Sequence, residues 1–223
     1  MSTILNGNVE TATPNATGVV SENAISQITS KRFLDENYLF SLREINKDAA
    51  SLSTTEIPPY PLSHTEAVGI LASGLALLPM YTPRRLEEFI DDWSKVAGTE
   101  QGINAVEILK TIGIPLGVCV WLDQYLVSDI TKDDHPNTAK NNFSDYTENW
   151  VKEVLRGGYV AGYYEGNYPA GNSTTPTPNC KDRGVLQLTN CGGSSSSQNQ
   201  NYKTITIGEN SDSSCPIQWL KGE

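Results

Sequence analysis

The chain lacks any apolar run approaching the roughly 18 residues of a membrane-spanning helix, so no such span is expected. It has no basic excess: 16 Lys and Arg stand against 26 Asp and Glu, a net charge of -10. Binding a phosphate backbone needs a basic face, so nucleic acid is excluded as a partner. The same charge disfavours simple electrostatic attraction to anionic wall polymers or membranes, and recognition has to come from a local site. There is no CxxC pair and no Cys/His cluster, so no metal site is expected. No Gly-rich phosphate loop follows a strand-like segment, and no cofactor is expected. His64 lies in a helix-capping turn and His135 in a polar loop, neither with a Ser or Cys partner placed by motif, which leaves a hydrolytic triad unsupported. The first eight residues have neither the basic n-region nor the apolar core of a signal peptide. Localisation stays open between a chain kept inside, one exported by a non-classical route, and one secreted with its signal removed.

What is present is 223 residues, 38% of them hydrophobic, with abundant polar loop residues. That length can bury a sizeable core in one domain. Residues 1–22 read as a polar N-terminal segment holding at most a short strand near Ile4-Leu5 or Val19-Val20, and residues 23–223 as a single domain. The most informative stretch is Leu116-Gly117-Val118-Cys119-Val120-Trp121-Leu122-Asp123. A continuous apolar run without alternation is the pattern of a parallel strand covered on both faces. Its final Asp stands where α/β proteins place their chemistry, at the carboxyl end of a strand. Tyr159 to Tyr164 repeats the design and runs into Glu165; Tyr38 to Leu42 runs into Arg43-Glu44.

Helical patterns fall between the strands. Residues 21–34 carry apolar residues on one face. Ser63-His64-Thr65-Glu66 is a capping box, with Gly74 as the C′ residue of the helix it opens. A strand spans 75–81, and helices are expected over 83–96, 101–112 and 143–155. Two weaker strands, 184–188 and 204–207, flank a serine tract at 194–197. Alternating strands and helices predict a parallel α/β sheet. Six or seven such strands suggest a small or incomplete TIM-like (β/α) barrel with an irregular polar C-terminal third; an open doubly wound sheet is the alternative. Cys119 reads as a core thiol. Two of Cys180, Cys191 and Cys215 could pair, Cys180 with Cys191 closing the shortest loop, in an oxidising compartment; the connectivity is open.

Several segments, in order and spacing, resemble a known family. They are Leu62-Ser63-His64-Thr65-Glu66-Ala67, Ser73-Gly74-Leu75, Pro79-Met80-Tyr81, Gly98-Thr99-Glu100-Gln101-Gly102, Ile112-Gly113-Ile114-Pro115, Val120-Trp121-Leu122-Asp123 and Gly158 to Tyr164. Together they look like the glycoside hydrolase-like domain of mycobacterial and actinobacterial cell-envelope proteins, over roughly residues 36–168. That domain is similar to the Chalaropsis-type lysozymes, (β/α) barrels that cleave the peptidoglycan glycan strand. The resemblance implies a protein that acts on a cell-wall glycan by carboxylate acid/base catalysis, or a catalytically inactive barrel that binds one. The departures are specific. The lysozyme relatives carry an Asp on the first strand, and this chain has no Asp before Asp35. Their Asp-x-Glu or Asp-x-Asp motif reads Asp123-Gln124-Tyr125 here, and their Arg-Tyr after the second strand reads Arg43-Glu44.

Glycoside hydrolysis uses two carboxyl groups, about 5–5.5 Å apart for retention and about 6.5–9.5 Å for inversion. Asp123 is the candidate general acid, with Glu165 or Glu44 as its partner. Arg43 would hold a carboxylate ionised or bind a substrate acetamido or lactyl group; the alternative is a salt bridge at a strand end. Tyr81, Tyr125 and Tyr164 are candidate stacking platforms for sugar rings, or else packing residues. Trp121 reads as core, and Gln187 and Asp212 as polar groups near the mouth.

Overall fold

A computed structural model describes residues 3–21, 24–46, 61–83, 95–123, 136–164, 188–189, 202–207 and 216–223. Among these the elements in chain order are β1 (Asn8–Thr11), β2 (Thr17–Ser21), α1 (Gln27–Asp35), β3 (Phe40–Glu44), α2 (His64–Ala72), β4 (Ala76–Tyr81), α3 (Lys95–Ile112), β5 (Cys119–Asp123), α4 (Pro136–Arg156), β6 (Val160–Tyr164), β7 (Leu188–Thr189), β8 (Tyr202–Ile207) and β9 (Gln218–Lys221).

The centre of the sheet is five parallel strands in sequence order, β2-β3-β4-β5-β6. From β2 to β6 the expected alternation of strands and helices holds. β8 then pairs antiparallel with β2, and β7 with β8. The C-terminal strand β9 enters antiparallel beside β4, through Leu77 opposite Leu220, and carries β1 on its far side. β4 is therefore a fork: its first half faces β9, while Met80 and Tyr81 face Trp121 and Leu122 of β5.

Two expectations are corrected. Among the described residues the sheet is mixed and does not close, so the TIM-like barrel gives way to a mixed α/β fold with nine strands in one sheet and four helices. Antiparallel neighbours need no crossover helix. That is how the polar C-terminal third and the N-terminal segment can both join the sheet. Residues 1–22 thus supply β1 and β2 to the same sheet as the rest of the chain. Helix bounds also differ. α3 starts at Lys95 and runs unbroken through Gln101, and α4 starts at Pro136, inside a stretch that reads as polar loop.

The sheet has two buried faces with different covers. Val19, Leu77, Tyr81, Val120 and Leu122 pack with helical residues such as Ile70, Leu109 and Trp150. The alternate residues, Val20, Phe40, Leu42, Met80 and Trp121, form a second cluster with Ile205 of β8 and Trp219 of β9. Among the described residues no helical residue belongs to that cluster, the pattern of a sheet that curves around side chains of its own strands. Burial on both sides explains the continuous apolar runs of β4 and β5.

Local signals seat the helices. The Ser63 side chain accepts from the Glu66 amide at 3.1 Å, the first half of the expected capping box. Gly74, just past the C-cap of α2, adopts φ +92°, where a side chain would be strained. Gly162 of β6 is required for space instead. It stands opposite Trp121 in the ladder, and a Cβ there would come within 2.2–2.5 Å of three carbons of the Trp121 six-membered ring.

Gly162→Ala is accordingly expected to lower stability by about 1–3 kcal/mol, the usual cost of overpacking a core. A urea denaturation midpoint within error of wild type would show that the indole can move aside.

Candidate active site at the carboxyl ends of the parallel strands

Strand alternation sorts the candidate residues. Phe40 and Leu42 lie on the concave face, so Glu44 at the end of β3 shares it; Cys119 and Trp121 place Asp123 on it likewise. Glu44 stands opposite Met80, Met80 opposite Trp121, and Trp121 opposite Gly162, one row across four strands. Asp123 lies one same-face step beyond that row, opposite Tyr164 of β6. Both acids are partly exposed, above a floor of buried Met80 and Trp121. The Trp121 indole Nε1–H is buried in this floor without a hydrogen-bond partner among the described residues.

Arg43 and Tyr81 are not brought to these acids, because they take the other parity. Arg43 is fully buried on the helix side. Its Nε and Nη2 meet Glu66 Oε1 and Oε2 of α2 at 2.7 and 3.2 Å, and Nη1 donates to the Ser21 carbonyl at 2.5 Å. Glu66 Oε1 also accepts from the Ile25 amide at 2.8 Å. The capping-box carboxylate is thus turned to Arg43 and α1. Tyr81, equally buried, accepts from Asn104 Nδ2 at 3.4 Å and lies 6.0 Å from the Trp150 ring. A fully buried ring between strand and helices offers no face to a sugar.

Tyr125, Glu165, Gln187 and Asp212 lie outside the described residues, as do His135, Cys180, Cys191 and Cys215. The Cys119 thiol is buried, and desolvation holds it protonated well above its ordinary range. His64 Nδ1 lies 2.7 Å from the Ile112 carbonyl. A carbonyl can only accept, so this nitrogen carries the proton and the ring ties α2 to the end of α3. Among the described residues no three His, Cys, Asp or Glu side chains form a metal-binding group, and no helix is long and apolar enough to cross a membrane.

Sequence reading misses one rim feature among the described residues. Asn46, buried just past β3, donates Nδ2 to the Thr82 carbonyl at 2.6 Å and accepts from the Thr82 amide at 2.8 Å. This clamp extends the β3–β4 edge beside Glu44, and no local signal marks it.

A model of the Rv2525c-like, glycoside hydrolase-like domain matches residues 32–205. The fold is similar to the Tat-secreted protein Rv2525c of Mycobacterium tuberculosis in complex with HEPES, at 12% identity and TM-score 0.57, covering 86% of this chain and 95% of that one. The same protein in complex with L-tartrate matches at 13% identity and TM-score 0.53, covering 86% and 93%. An uncharacterized B. stearothermophilus protein matches at 16% identity and TM-score 0.54, covering 93% and 96%. At these identities the likeness is one of fold. No curated protein sequence matches the chain.

Behind the site, one buried phenol ties α4 to α3 and another ties the segment entering β6 to the segment entering β5. Tyr146 donates to Gln101 Oε1 at 2.7 Å and Tyr159 to the Ile114 carbonyl at 3.0 Å. Burial pushes Tyr159 up to about 12 from 10.0. Burial, with Tyr81 adding charge repulsion, holds Tyr146 well above 10.0. Unfolded phenols ionise near 10. The folded values are higher, so this stabilisation is complete below about pH 10 and is lost as the pH rises towards about 12. Urea midpoints are expected to fall over that interval, and Tyr159→Phe, less stable at pH 8, to fall less steeply. An unchanged slope in the variant would show that Tyr159 does not carry the effect.

Proposed function

The chain belongs to the Rv2525c-like, glycoside hydrolase-like domain family, and from that premise we propose that it binds a cell-wall glycan such as peptidoglycan at the carboxyl ends of β3 to β6 and hydrolyses it with a pair of carboxyl groups. The observation that carries this reading is the shared face of Glu44 and Asp123, above an apolar floor and at the strand ends. Asp123 is the general acid. Its partner is Glu44, or Glu165, which follows in sequence the residue facing Asp123. From the register, the Glu44 and Asp123 backbones are on the order of 11–12 Å apart: two strand spacings across and two residues along. Two side chains reaching inward over a concave face shorten that span towards the about 5–9.5 Å of glycosidases. An acid in such a site keeps its proton near neutral pH when burial or a second carboxylate disfavours its charge. Tyr125, Tyr164, Gln187 and Asp212 are the proposed ring-stacking and polar contacts. Rv2525c has been crystallised in complex with HEPES and with L-tartrate, which supports a polar small-molecule or glycan ligand for this fold.

A second reading is a glycan-binding module without turnover. Tyr125, where the lysozyme relatives carry their second acid, and the lack of a first-strand Asp favour it.

Turbidity clearance and muropeptide release from purified peptidoglycan separate the two. Asp123→Asn is expected to cut release by about 10²–10⁴-fold, the scale of a lost general acid. Whichever of Glu44→Gln and Glu165→Gln falls comparably identifies the partner. No release by wild type, with the protein sedimenting with the insoluble wall, would establish the binding module. Neither release nor sedimentation would overturn both readings.

A further inference from the structure

The Arg43–Glu66 ion pair has more hydrogen bonds than packing requires. It joins β3 to α2 through the Nε and Nη2 edge of the guanidinium, and the same two side chains hold the Ser21 carbonyl at the end of β2 and the Ile25 amide at the start of α1. Their side chains are 0% and 6% exposed. Burying such a pair seldom adds net stability, and apolar residues of similar volume often serve as well. What it imposes is register. Arg43 and Glu44 are neighbours on one strand and must point to opposite faces. While Arg43 is locked to Glu66 behind the sheet, Glu44 has to face the concave side. A slip of one residue would exchange them, putting a cation at the strand ends and an acid among the helices.

We infer that Arg43 and Glu66 are positioning residues for the proposed glycan site. They set the direction of the Glu44 carboxylate and anchor both ends of the β2–α1 connection beside it, without touching ligand themselves. This rests on the functional reading above. Ser21 lies in the row of Arg43 and Pro79, one residue short of the row of Glu44, Met80 and Trp121. Anchoring Ser21 and Ile25 fixes the edge of the site on the β2 side.

The test uses the full chain and purified peptidoglycan, with folding checked by circular dichroism and urea titration. The double variant Arg43→Met, Glu66→Leu replaces the pair by apolar side chains. It is expected to keep a urea midpoint near wild type, yet to lose at least tenfold in wall binding or muropeptide release and to lose exchange protection at the Ile25 amide. Should the double variant fold poorly, Arg43→Lys decides. Lys keeps the charge but not the bidentate fork, and the expected loss is again at least tenfold, measured where the variant is fully folded. Binding and release within twofold of wild type in a folded variant would overturn the inference and leave the functional reading standing. A wild-type protein that neither binds nor cleaves the wall would overturn that reading and this inference with it.

Discussion

Burial of the parallel strands on both faces is the constraint from which the rest of the molecule follows. A strand with one wet face can tolerate either kind of residue there. In β3, β4 and β5 each side chain must instead suit either the helix layer or the strand-lined concave layer. Among these, the last residues of β3 and β5 are the partly exposed ones, and they are Glu44 and Asp123. Their neighbours Arg43 and Leu122 stay buried on the other side. The difference between a structural and a chemical residue here is a single step along the strand.

The Arg43–Glu66 pair shows how a costly arrangement can be retained for direction. A buried charge needs every hydrogen bond satisfied, and this pair collects partners from β2, β3, α1 and α2. The energetic gain over an apolar core is small or absent. The gain in specificity is that two strands and two helices can meet in one way only. The Asn46–Thr82 clamp works in the same sense with neutral groups, continuing the β3–β4 edge beyond the ladder.

Much of the parallel core was legible in the chain because its signals are local. The apolar run ending in Asp123, the Ser63 cap, the turn glycine Gly74 and the spacing of Trp150, Val151 and Val154 each depend on residues a few positions apart. β1 and β9 were not legible. Asn8–Thr11 is largely exposed, and Gln218–Lys221 is four residues long. Neither has a periodicity of its own, and each exists because its partner lies across the full length of the chain. The same non-locality turned an expected barrel into a mixed sheet that forks at β4.

For the site, the sequence by itself determined which residue types stand at strand ends, since an acid after a buried apolar run is readable wherever it occurs. It could not rank them. Arg43, Glu44 and Tyr81 looked equally eligible as neighbours of a rim. The tertiary structure separated them because facing is set by register against other strands and by the helix that covers each side. Arg43 and Tyr81 turned to α2 and α3, while Glu44 turned to the concave face with Asp123. Chemistry at this rim was written in composition, but its direction was decided by which neighbours the sheet brought alongside.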